Sequence, residues 1–186
     1  EIELGLVGSE MCIRDRGFYR FANKEPNKLA IVGPNEELVS RGELLSKANK
    51  LTHALRDLGL KKFDTVAVVL PNSVEYFVVY MACLQAGFYL VPINWHLAGP
   101  EIAYILEDSE AKAFIASGKN PDMEKACINA VSEISFNKKG CITIDELEGF
   151  RHIDDFTKSM PDENPHDRSA GQVMNYTSGT TGKPCL

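Results

Sequence analysis

Short apolar runs alternate with longer stretches of helical spacing between residues 29 and 176, and this alternation limits the available folds more than any other feature. Runs of roughly four to six residues, such as Thr65–Leu70 (TVAVVL) and Lys112–Ala116 (KAFIA), are rich in side chains that suit a pleated backbone. Parallel strands cannot be joined by tight turns and need crossovers of helical length. The pattern therefore predicts βαβ units in an α/β fold: a layered, largely parallel sheet with helices on both faces and right-handed crossovers. In open sheets of this kind, ligands collect at the carboxyl ends of strands.

Local signals place most element boundaries. Leu29–Val32 and Glu37–Val39 flank a Gly-Pro-Asn-Glu turn, which predicts a hairpin. Ser40 stands three residues before Glu43, the spacing of a capping box. Leu44, Ala48, Leu51, Leu55 and Leu58 then share one helical face, and Gly59 ends it. Val74–Ala86 is apolar on nearly every side, which predicts a helix buried on several faces, with Tyr76, Phe77 and Tyr80 serving the core. A strand is predicted over Phe88–Ile93, with Pro92 at its end. The next helix, Pro100–Asp108, has Glu101 beside the positive end of its dipole. A strand over Lys112–Ala116, a helix over Pro121–Ile134, a strand over Cys141–Ile144, a short helix over Glu146–Arg151 and a last strand over Gln172–Tyr176 complete the series. Thr157–Ser169 holds two prolines, five charged side chains and almost nothing apolar, and reads as a linker.

Composition removes several function classes. With 44% hydrophobic and 25% charged residues the chain is globular rather than disordered. Its net charge of −6 offers no basic surplus for nucleic acid. The longest unbroken apolar run, Tyr76–Leu84, is too short to cross a bilayer. The cysteines form neither a CxxC nor a Cys/His cluster, so no zinc site or disulfide scaffold is indicated, and scattered thiols suit a reducing cytoplasm. His53, His96, His152 and His166 lack helical-spacing partners and read as ordinary surface or helix residues, His53 facing solvent. Trp95 is expected to pack on a neighbouring helix, and Cys83 and Cys127 to fill the core. The acidic pairs Asp154-Asp155 and Asp162-Glu163 read as solvated.

The chemistry is concentrated after the last predicted strand, in Thr177-Ser178-Gly179-Thr180-Thr181-Gly182-Lys183-Pro184. Gly179 and Gly182 let main-chain N–H groups approach an anion closely. Four hydroxyls and the Lys183 ammonium add donors and a point charge, a set suited to a polyphosphate. By composition alone a Ser/Thr/Gly turn on a noncatalytic α/β binding module stays equally open. A Walker A loop is excluded, because two residues rather than four separate the glycines and Pro184 follows the lysine. There is no GxGxxG for a dinucleotide.

The nonapeptide Tyr176–Pro184 (YTSGTTGKP) resembles the phosphate-loop signature of the adenylate-forming superfamily, which includes acyl-CoA synthetases, luciferases and peptide-synthetase adenylation domains. The similarity extends upstream over Asp64–Asn72, Glu75–Ile93 and Pro100–Ser109. Leu90–Lys112 is similar to bacterial fatty acyl-CoA synthetases, whereas adenylation domains tend to carry an acidic residue and a proline where Asn94 and Trp95 stand. The resemblance implies an ATP-dependent acyl-CoA synthetase acting on a fatty acid. The alternative it leaves is the adenylation domain of a nonribosomal peptide synthetase. It implies ATP, Mg2+ and CoA as cofactors, with Thr177, Ser178, Gly179, Thr180, Thr181, Gly182 and Lys183 on the ATP phosphates. The family's adenine, magnesium and acyl segments and its lid lysine lie beyond Pro184, so no catalytic residue is expected within this chain and no activity from it alone. A small-molecule carboxylate is the expected partner. The location implied is cytoplasmic, with peripheral membrane contact left open by the lipid substrate. Acyl length and oligomeric state are not implied.

The ends depart from the family pattern. Met11 to Arg16 match the codons of a sequencing adapter's transposase mosaic end, ATG TGT ATA AGA GAC AG, and Leu6 to Glu10 match the bases upstream of it. The reverse complement of that mosaic end, starting C TGT CTC, supplies Cys185 and Leu186 in place of the usual Lys-Gly. Residues 1–16 and 185–186 are therefore expected to be adapter-derived, and residues 17–184 to be the N-terminal part of an AMP-binding domain.

Overall fold

The computed structural model describes residues 17–178 and 184–185. Helix α1 (Phe18–Lys24) precedes a hairpin of β1 (Leu29–Val32) and β2 (Leu38–Ser40). Helix α2 (Arg41–Asp57), strand β3 (Thr65–Val69), helix α3 (Val74–Ala86), strand β4 (Tyr89–Pro92), helix α4 (Gly99–Asp108) and strand β5 (Ala111–Ala116) follow. Then come helix α5 (Pro121–Glu133), a 3-10 turn at Lys138–Gly140, strands β6 (Cys141–Thr143) and β7 (Arg151–His152), and helix α6 (Ile153–Thr157). Strand β8 (Gln172–Val173) and a small pair, β9 (Thr177–Ser178) and β10 (Pro184–Cys185), close the described chain.

Six strands form one sheet in the order β7-β6-β5-β3-β4-β8, and every neighbouring pair is parallel. The expected layered α/β architecture is thus present. From β3 the chain steps to β4 on one side, then crosses back to β5 on the other. The β3–β5 border is therefore where the connections diverge, the position at which open sheets form a crevice. All five residues of β3 are buried, as a central parallel strand covered on both faces requires.

The pleat sorts the sheet into two cores. Val66, Val68, Leu90, Ile115 and Ile142 face α2 and α3. Ala67, Val69, Val91, Phe114 and Ala116 face α4 and α5. The α2 stripe works as its spacing predicts, with Leu44, Ala48, Leu51 and Leu55 at most 2% exposed. Its start is a capping box: Ser40 Oγ accepts from Glu43 N (3.2 Å) and a Glu43 carboxylate oxygen accepts from Ser40 N (2.8 Å). Helix α3 begins on a Ser73 cap and ends on Gly87 at φ 79°, a left-handed angle that favours glycine.

Several expectations are corrected. The helix predicted over Glu146–Arg151 is absent. Residues 144–150 hold bends and a single turn at 148–149, Gly149 sits at φ 82°, Arg151–His152 adds strand β7, and the helix starts only at Ile153. The Asp145 carboxylate pins the start of this turn to Ser117 Oγ (2.5 Å) and Gly118 N (2.7 Å), which diverts the chain from a helical path. The strand predicted over Gln172–Tyr176 is paired only at Gln172–Val173. Phe77 is 45% exposed rather than part of the core, although Tyr76 and Tyr80 pack against it. Trp95 is 39% exposed and stacks on His96, with ring centroids 3.5 Å apart, instead of packing on a helix. The supposed linker is no loose connection, as the site geometry shows.

Candidate functional site

The predicted phosphate loop leaves the sheet from its edge strand. β8 pairs in register with β4 (Tyr89 with Gln172, Leu90 with Val173), and Met174 N continues the ladder to Leu90 O (2.8 Å). Thr177 and Ser178 form β9, which pairs antiparallel with β10, Ser178 opposite Pro184 and Thr177 opposite Cys185. The backbone therefore brings the two ends of the loop together as a hairpin. Gly179, Thr180, Thr181, Gly182 and Lys183 lie outside the described residues, as do residues 1–16. At the loop's entrance the Tyr176 hydroxyl donates to an Asp108 carboxylate oxygen (2.6 Å) at the end of α4. Burial, then the Asp108 carboxylate, push the Tyr176 phenol above its ordinary range.

What holds β8 in place is the segment before it. Residues 158–171 run as a strap over α2 and α3. Ser169 N donates to Gln85 O (3.0 Å), Gly171 N to Leu84 O (2.8 Å) and Gln172 N to Phe88 O (3.2 Å). Gly171 passes so close to α3 that a Cβ there would collide with the carbonyl oxygens of Cys83 and Phe88. On α2, Asn49 Nδ2 donates to Asp162 O (2.8 Å) and Arg56 pairs with Asp167 (2.6 Å). His53, expected to face solvent, instead lies against the strap, its Nε2 donating to Glu163 O (3.1 Å). Polar residues keep this segment docked, which is why its composition looks like that of a linker.

At the β3–β5 border the polar groups satisfy one another. Ser117 N donates to Val69 O (3.1 Å), and the Asp145 carboxylate collects Ser117 Oγ, Gly118 N and Thr143 Oγ1 (3.1 Å). With three donors already bound, Asp145 ties the carboxyl ends of β5 and β6 together. Sequence analysis did not single out this cluster or Asn49 and Gln85. Their only sequence signal is polar residues inside otherwise apolar elements.

Two open clefts flank this edge. One, of about 530 Å3, is lined by Trp95, His96, Leu97, Asn120, Pro121 and Asp122. The other, of about 390 Å3, lies by β6 and β7, where Lys47, Lys50 and Lys158 are opposed by Glu75 and Asp154. Among the described residues no group of three or more His, Cys, Asp or Glu side chains could hold a metal ion. Cys83, Cys127 and Cys141 are free and buried, as expected of core fillers. Burial pushes the Cys141 thiol up to about 11 and the Cys127 thiol up to about 12. No helix among the described residues is long and apolar enough to cross a membrane.

The AMP-binding enzyme family matches residues 18–185. Gramicidin S synthase 1 of Brevibacillus brevis is 32% identical over 167 residues, covering 90% of this chain and 14% of that protein. The long-chain-fatty-acid–CoA ligase FadD13 of Mycobacterium tuberculosis (strain CDC 1551 / Oshkosh) is 30% identical over 167 residues, covering 88% of this chain and 32% of that one. Among solved structures, the N-terminal domain of FACL13 from Mycobacterium tuberculosis matches with a TM-score of 0.69 at 26% identity, covering 90% of this chain and 41% of that one. The anthranilate CoA ligase AuaEII, solved with anthranoyl-AMP, shares the fold with a TM-score of 0.76 at 24% identity, covering 94% of this chain and 33% of that one. The chain spans a third or less of the length of these curated relatives.

Proposed function

Because the chain belongs to the AMP-binding enzyme family, we propose that it is the N-terminal part of an ATP-dependent acyl-CoA synthetase whose carboxylate substrate is a fatty acid. The observation that supports this is the YTSGTTGKP sequence, which follows in the chain the edge strand of a parallel sheet. The likeness to FadD13 supports a fatty acid. In the reaction proposed, a carboxylate oxygen attacks the α-phosphorus of ATP, and the bond from that phosphorus to the β-phosphate bridging oxygen breaks. Pyrophosphate leaves and an acyl-adenylate forms. The thiol of CoA then attacks the acyl carbon, losing its proton as the thioester forms, and AMP departs.

The donor set of the loop fits the ATP phosphates. Hydroxyls of Thr177, Ser178, Thr180 and Thr181, with main-chain N–H groups freed by Gly179 and Gly182, would bind the β- and γ-phosphate oxygens. Lys183 would neutralise charge on the departing pyrophosphate. For Mg2+ and CoA the described residues offer no ligand set, and no step is assigned to them. The three free thiols found among the described residues accord with a cytoplasmic location.

The test is ATP–pyrophosphate exchange by the complete gene product with a panel of fatty acids. Fatty acids are expected to support exchange, and Lys183→Ala to lower kcat/KM by about 10²–10³-fold, the scale of losing a charge-stabilising donor. The 186-residue chain alone is expected to give no exchange. Normal turnover by Lys183→Ala would refute the role of the loop. A second reading, amino-acid adenylation, is favoured by the likeness to gramicidin S synthase 1. Exchange driven by amino acids and not by fatty acids would establish it instead.

A further inference from the structure

We propose that a buried amide pair, Asn49 on α2 and Gln85 on α3, is the positioning device for the nucleotide loop, acting through the strap at 158–171; this rests on the loop's role given above. Asn49 is 1% exposed and Gln85 is wholly buried, and apart from Thr52 the other inward residues of their helices are apolar. Packing α2 on α3 needs no amides, and burying them is unfavourable unless they are hydrogen-bonded. Their bonds lead to the strap. Gln85 Nε2 donates to Asn49 Oδ1 (3.0 Å) and to Thr52 Oγ1 (2.9 Å). Asn49 Nδ2 then donates to Asp162 O (2.8 Å) and Asn164 Oδ1 (3.3 Å). The main-chain oxygen of Gln85 accepts from Ser169 N (3.0 Å), so one residue grips the strap through its backbone and, through Asn49, through its side chain.

The strap is otherwise held by further directional bonds: Ser46 Oγ donates to an Asp162 carboxylate oxygen, His53 Nε2 to Glu163 O, Asn164 Nδ2 to Asn23 Oδ1 and Gly171 N to Leu84 O. Met160 is its one hydrophobic side chain packed against the α2–α3 core, and the Arg56–Asp167 pair is largely solvated on the aspartate side, where ion pairs contribute little. Directional bonds therefore set where the strap lies along α3. That position sets the register of β8 on β4, and β8 ends only four residues before Thr177. Residues 174–176 alone separate β8 from Thr177, and Met174 N donates to Leu90 O and the Tyr176 hydroxyl to Asp108, so a displacement of the strap passes along a bonded stretch. Gln85 Oε1 and Arg168 Nε are buried with no hydrogen-bond partner among the described residues.

The test compares wild-type complete enzyme with two variants. Asn49→Leu/Gln85→Met removes both amides together and fills their space, so no amide is left unpaired and the fold is preserved. Asn164→Ala removes the exposed strap-side partner, together with its bonds to Asn23 and Arg168. In the double variant, amide hydrogen exchange at 168–178 is expected to rise while β3 and β5 stay protected. The KM for ATP is expected to rise about tenfold with the KM for the carboxylate unchanged, the scale of a small misplacement of a binding group. Asn164→Ala should shift both readouts in the same direction by less. Wild-type exchange at 168–178 in both variants would overturn the proposal. So would a parallel rise of both KM values with a lowered melting temperature, the mark of a purely structural role. A wild-type enzyme without ATP-dependent exchange would instead refute the nucleotide reading, and the hydrogen-exchange comparison alone would then decide the tether.

Discussion

At the scale of single residues, this chain separates groups that titrate into the structure from groups that titrate out of it. The Glu43 carboxyl is held below its ordinary 4.5, first by the Ser40 backbone N–H and then by the Ser40 hydroxyl. The unfolded chain therefore binds its proton first as pH falls. The stabilisation is present above about 4.5 and is lost as pH drops through the folded value. Ser40→Ala removes the side-chain half of the box and is expected to destabilise the fold by about 1 kcal/mol, measurable in urea unfolding at neutral pH. The thiols behave in the opposite sense. Cys141 and Cys127 keep their protons to about 11 and about 12, whereas in the unfolded chain they lose them near 9.0. Their contribution is full below 9 and fades as pH rises above it. A thiol reagent at pH 8 is expected to leave all three buried cysteines unmodified in the folded chain and to label them after unfolding.

At the scale of elements, caps and turns were legible because they depend on residues a few positions apart. Ser40 with Glu43 marks the start of α2, and Gly59, at φ 105°, follows its end. Short elements failed where a distant partner decided them. Glu146–Arg151 has helical composition, but Asp145 is captured by Ser117 and Gly118, and Arg151–His152 finds a ladder partner in β6. The strap failed for the same reason: its polarity matches bonds to α2 rather than solvent. Gly171 is its tightest point. Gly171→Ala would push a methyl into the carbonyl oxygens of Cys83 and Phe88 and is expected to destabilise by about 1–3 kcal/mol or more, read as a lowered melting temperature. The loss should concentrate in β8, so amide exchange there should rise before that of β3.

At the scale of the whole molecule, the sheet is complete enough to hold two apolar cores, yet the chain spans only a third or less of its curated relatives. The family match runs over residues 18–185. Amplification of the locus from source DNA is expected to show other codons in place of those for Glu1–Arg16 and Cys185–Leu186. Finding those codons in the genome would refute the adapter origin.

The sequence alone determined the α/β class, the capped start of α2 and the hairpin, because each is written in side-chain period or in residue types within one turn of each other. Only the tertiary structure decided that β5 lies on the far side of β3 from β4, and that Asn49 meets the backbone of Asp162 across 113 positions. Contacts at that separation leave no periodicity to read. They exist only once burial has brought α2, α3 and the strap together and left the amides no water to bond.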